Sequence, residues 1–131
     1  IDGQGGMLGK QLVEDVKKIL PESEVIAVGT NIIATNSMLK AGADNGATGE
    51  NAVVVCARTA DIIVGPVGIA IADSLLGEIT PQMAAAVGQS NAKKVLIPVN
   101  KCNNIIVGVG GKKTSELIHD AIETIEEISR S

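Results

Sequence analysis

At 131 residues, 45% apolar and with 15 glycines, the chain is long enough for one globular domain rich in tight turns. It has no Phe, Tyr or Trp, so its core is aliphatic, ring-stacked and cation–π recognition are excluded, and no tyrosine can serve as a catalytic acid. A formal net charge of −4 argues against a nucleic-acid partner, and two cysteines with one histidine are too few for a Cys/His zinc site, so no metal is expected.

Ile1-Asp2 reads as the end of a buried strand, with earlier apolar residues expected before Ile1. Gly3, Gly5, Gly6 and Gly9 follow; Leu8, Leu12, Val16, Ile19 and Leu20 then recur at helical spacing as far as Pro21. EVIAVGTN predicts a short buried strand, NIIATNSMLKAG a helix ending at Gly42, and ADNGATGEN a loop. The valine run in NAVVVCAR favours strand by propensity and helix by its place in the alternation; it is assigned to helix. DIIVGPVG predicts a strand and turn. IAIADSLLGEI and TPQMAAAVGQS predict two short helices, the second capped by Thr80 with Pro81 in its first turn. KKVLIPV and NIIVGV predict two more strands, and Ile118, Ala121, Ile122, Ile125 and Ile128 mark a final amphipathic helix. This alternation predicts a single α/β domain over residues 1–131: a doubly wound, mostly parallel sheet of about five strands with helices on both faces.

A strand, a glycine turn and a helix aim free backbone N–H groups and a positive helix end at an anion. The expected cofactor-binding residues are therefore Gly3, Gln4, Gly5, Gly6, Met7, Leu8 and Gly9. Thr30 and Asn31 are added on the ribose side, with Gly65, Pro66 and Asn100 from other strand ends. Asp2, if it faced the cavity, would repel a dinucleotide unless it caps nearby amides or is protonated. Gly9-Lys10 echoes a P-loop, but Gln4 and Gln11 replace the required glycine and hydroxyl, and GVGGKKTSE fails on spacing. The second strand ends in Gly-Thr-Asn, without the acid that would identify NAD or the arginine that would identify NADP. Lys101 and Cys102 are the candidates for polarising or attacking a substrate; Cys56 reads as core and His119 as surface. Asp73 and Glu78 read as turn carboxylates that could line the mouth of a site.

DGQGGMLGKQLVE is similar to the opening of the extended short-chain dehydrogenases, which implies a pyrophosphate over Gly5, Gly6 and Met7. IDGQGGMLGK, VGTNIIATNSMLKAGADNGATGEN, DIIVGPVGIAIADSLLGEITPQM and KKVLIPVNKCN together resemble a small bacterial family known only as a domain of unknown function. That resemblance implies a compact Rossmann-like domain, implies a ligand site in the Thr30–Asn51 stretch, and supplies no activity. The expected function is binding of a nucleotide or dinucleotide, with NAD or NADP as candidate cofactors and other nucleotides open. Whether the chain is an enzyme is open between a minimal oxidoreductase or transferase and a non-catalytic nucleotide sensor or accessory subunit. A cytoplasmic location without membrane attachment is expected. So is a homodimer formed through Ile69–Leu76 or Met83–Val87.

Overall fold

The computed structural model describes residues 1–99 and 103–131. Helix α1 (Met7–Ile19) follows the glycine turn and ends before Pro21. Strand β1 (Ile26–Gly29), helix α2 (Ile32–Lys40), strand β2 (Asn45–Thr48) and helix α3 (Glu50–Thr59) come next. Strand β3 (Ile62–Pro66) runs into a 3-10 turn at Val67–Ala70. Helix α4 (Pro81–Gln89), strand β4 (Lys93–Ile97) and helix α5 (Thr114–Arg130) complete the described elements. The valine run is helix, as assigned, because Val53 and Ala57 turn one face into the core while the rest of α3 covers its surface. Thr80 accepts the Met83 amide and Pro81 opens α4.

The predicted sheet of about five strands is corrected to two parallel two-stranded sheets, β1–β2 and β3–β4. Between the two pairs, Asp2 forms an isolated parallel bridge with Gly29. The Asp2 amide donates to Val28 O and Thr30 N donates to Asp2 O, while the Ile1 nitrogen donates to Val64 O. That short segment thus touches both β1 and β3. Beyond it, toward the amino ends of those strands, a cavity of about 570 Å³ is lined by Val25–Val28, Ile62–Val64, and residues of α1 and α3.

Three further expectations differ. Asn45–Thr48, read as loop, is a strand; it pairs with β1 yet is mostly exposed, so it carries no apolar signal. NIIVGV is not a strand: its described residues are turns or unassigned, with Ile105 and Val107 about nine-tenths exposed and no layer to pack on. IAIADSLLGEI is a 3-10 turn followed by turns, because Asp73, Leu75, Leu76 and Gly77 all adopt positive φ, which breaks any helix.

The core is aliphatic. One buried cluster joins Val53 and Ala57 of α3, Ile69, Leu75 and Ile79, and Met83 and Val87 of α4. A second joins Leu12 of α1 to Ile97 of β4 and to Ile118 and Ala121 of α5. The third packs Val13 against Ala27 of β1 and Ala34 and Met38 of α2. Ile69, Leu75, Met83 and Val87, expected at a subunit interface, are thus buried within the chain, and Leu76 is the large exposed side chain of that stretch. Among the described residues no helix is long and apolar enough to cross a membrane, and no His, Cys, Asp and Glu cluster could hold a metal ion.

Candidate functional site

The glycine turn is held from beneath by a carboxylate. Asp2 is 5% exposed; its Oδ1 accepts the Gly3 amide at 2.8 Å and its Oδ2 the Gly9 amide at 2.7 Å. It therefore caps amides, one of the two arrangements that reconcile an acid with this position. Burial pushes the Asp2 carboxyl above its ordinary range, and the Gly9 and Gly3 amides only partly offset that. Gly6, with φ of 71°, is the N-cap of α1 and lacks a side-chain cap; its amide donates to Gly3 O.

Close packing explains three of the four glycines. A Cβ at Gly9 would lie 2.5 Å from Met38 Sδ and 2.9 Å from Asp2 Cβ. At Gly6 it would lie 2.7 Å from Ala34 Cα, and at Gly3 2.6 Å from Thr30 Oγ1. Gly5 is different. A Cβ there would meet only Met7 Cγ at 3.9 Å, and its φ is not positive, so neither packing nor backbone conformation requires a glycine.

Above Gly5 the backbone is open. The Gln4 amide donates to Glu78 and the Lys10 amide to Gly6 O; among the described residues, the amides of Gly5, Met7 and Leu8 have no acceptor. Met7 and Leu8 begin α1, whose first amides lack an intrahelical partner by construction. The same two residues line a cavity of about 750 Å³ between α1 and α5, with Gln11, Val99, Thr114 and His119 among its other walls. That volume is in the range of small-molecule sites.

On the other side of the turn, the end of β1 and the start of α2 meet a side chain from a distant loop. Glu78 Oε1 accepts the Gln4 amide at 2.9 Å, Thr30 Oγ1 at 2.5 Å and Asn31 Nδ2 at 3.0 Å. Asn31 Nδ2 also donates to Gln4 O, and its Oδ1 accepts the Ala34 amide as the N-cap of α2. Desolvation is the largest influence on Glu78 and acts upward. The bonds from Thr30, Gln4 and Asn31 together outweigh it and leave the carboxyl below its ordinary range. Leu75 and Ile79, 2% and 0% exposed, anchor the turn that delivers Glu78.

The structure thus brings Gly3, Gln4, Gly5, Gly6, Met7, Leu8, Gly9, Thr30 and Asn31 together. Gly65 and Pro66 are buried; a Cβ on Gly65 would collide with the Ile1 carbonyl, and Pro66 is among the least exposed residues. Asn100, Lys101 and Cys102 lie outside the described residues. Cys56 is a half-buried free thiol packed against the core, and His119 is exposed and 2.7 Å from Glu123. Asp73 stays exposed on its turn. The ring of bonds around Glu78 was missed. Its signal is a strand end rich in hydroxyl and amide N–H donors, Thr30-Asn31, with no carboxylate beside it in the sequence.

A family model described as Domain of unknown function (DUF3842) matches residues 1–130. No curated protein and no solved structure matches the chain.

Proposed function

We propose that this chain, which belongs to that family, binds a nucleotide or dinucleotide across the turn between Ile1-Asp2 and α1. The observation that carries the reading is the open Gly5 beside three amides, those of Gly5, Met7 and Leu8, that have no acceptor among the described residues. Converging N–H groups at the positive end of a 13-residue helix favour a phosphate, and a glycine with free space above it lets that phosphate approach the backbone. Asp2 does not oppose this, because both its oxygens are engaged by amides on the buried side of the turn.

The dinucleotide skeleton that NAD and NADP share fits the groups present in outline. The phosphates would lie on Gly5, Met7 and Leu8, one nucleoside toward Thr30, Asn31 and Glu78, and the other toward the cavity between α1 and α5. ATP and coenzyme A share the same phosphate chemistry. The doubly wound Rossmann-like architecture belongs to this reading. In it Ile1-Asp2 stands as the central line between the β1–β2 and β3–β4 pairs, and ligands gather at strand carboxyl ends.

The reading assigns binding rather than a reaction. Thr30, Asn31 and Glu78 are locked to one another by hydrogen bonds, an arrangement suited to holding hydroxyls, and this favours a nucleotide sensor or accessory subunit over a catalyst. Calorimetry with NAD, NADP, ATP and coenzyme A tests the reading. Binding of at least one, abolished by Gly5→Val without loss of the fold, is the expected result. Absence of heat and of any thermal shift with all four overturns it.

A further inference from the structure

We propose that Glu78 makes the site selective for nucleotides whose ribose hydroxyls are free, as in NAD and ADP, against those carrying a 2′-phosphate. The inference rests on the nucleotide reading above and adds the class of ligand.

Strand β1 ends in Gly29-Thr30-Asn31, with no acid to grip a ribose. A carboxylate is nevertheless present there, supplied by the turn after β3, 48 residues further along the chain from Thr30. Three donors fix one of its oxygens, Oε1: the Gln4 amide, the Thr30 hydroxyl and the Asn31 amide. Among the described residues, Oε2 accepts no hydrogen bond. A carboxylate tied through one oxygen, with the other open, is a preoriented acceptor for a hydroxyl donor. It costs little further ordering on binding, because Leu75 and Ile79 already pin its turn in the core.

A 2′-phosphate reverses the interaction. It replaces a donating hydroxyl with an anion bearing a charge of about −1.5 to −2, placed against an ionised carboxylate. The residue that accommodates such a phosphate elsewhere is arginine. The two arginines of this chain, Arg58 and Arg130, occupy the last turns of α3 and α5, and neither bonds to Glu78. Gln4 shares both functions: its amide holds Glu78, and it directly precedes the Gly5 seat for phosphate. The ribose acceptor and the phosphate donors are therefore consecutive along one turn.

Calorimetric titration of the wild-type chain and of Glu78→Gln with NAD, NADP, AMP and adenosine 2′,5′-bisphosphate tests the inference. Wild type is expected to bind NAD and AMP at least about tenfold tighter than their 2′-phosphorylated counterparts, the scale of a like-charge clash softened by partial exposure. Glu78→Gln keeps the size and an acceptor oxygen, and is expected to shrink that ratio below about threefold. Equal wild-type affinity for both members of each pair, or a preference for the 2′-phosphate, overturns the role of Glu78 and leaves the nucleotide reading standing. Failure of all four to bind a wild-type chain that melts cooperatively overturns the nucleotide reading itself. The wild-type ratio decides the selectivity even if Glu78→Gln does not fold.

Discussion

Gly5 and Gly9 differ in what their missing side chains permit. Gly9→Val drives a side chain into Met38 and Asp2, and overpacking of that kind is expected to cost about 1–3 kcal/mol, seen as a lowered melting temperature. Gly5→Val enters open space and is expected to leave the melting temperature nearly unchanged while removing nucleotide binding. A Gly5→Val chain that binds as wild type would refute the phosphate seat. Leu76 presents the converse case: φ of 56° and 95% exposure mean that it pays for a left-handed conformation without packing in return. Leu76→Gly is expected to raise stability by up to about 1 kcal/mol, the left-handed strain less the added backbone entropy, measurable by denaturant unfolding. Sequence pattern could not reveal this, because Leu75-Leu76 looks like any apolar pair. One of the two is buried and the other fully out, a division set by the turn and not by periodicity.

At the scale of elements, the two carboxylates around the glycine turn titrate in opposite senses. The folded Asp2 holds its proton to higher pH than the unfolded chain, whose ordinary value is 3.8, so this group makes stability fall as pH rises from that value through the raised one. The folded Glu78 lets its proton go more readily than the ordinary value of 4.5. Its contribution is present above that value and is lost as pH falls through the lower, folded one. Melting temperature followed from pH 3 to 7 in Asp2→Asn and in Glu78→Gln is expected to separate the two limbs. Glu78→Gln loses the acid-side decline; Asp2→Asn loses the fall at higher pH. Asp2→Asn is also expected to cost about 1–3 kcal/mol at neutral pH, since an amide cannot accept from both Gly3 and Gly9 and one buried N–H goes unmet. Identical pH profiles in variant and wild type would contradict the assignment.

The helices were legible because each buries one stripe: Leu12 and Val13 in α1, Ile118, Ala121 and Ile125 in α5. Strand β2 was not, because an exposed edge strand is held by main-chain bonds that leave no mark on residue type. Likewise the glycine turn announced itself, whereas Glu78 read only as a turn carboxylate at the mouth of a site and not as the acceptor for Thr30 and Asn31. A carboxylate brought across the chain by a turn of left-handed residues has no local signature, and only the unanswered donors of Thr30 and Asn31 hinted at it.

For the whole molecule, the cavity of about 570 Å³ between β1 and β3 is walled by two strand edges and by apolar residues from α1 and α3. The seam formed by Ile1 and Asp2 has a kinetic corollary. Among the described residues, main-chain bonding between the two β pairs passes through it, and the Asp2 and Thr30 amides lie within it. Deuterium uptake at those two positions therefore reports whether the halves breathe together or apart. A nucleotide that bridges Gly5 on one flank and Glu78 on the other would act as a clasp, slowing uptake there more than in the outer strands.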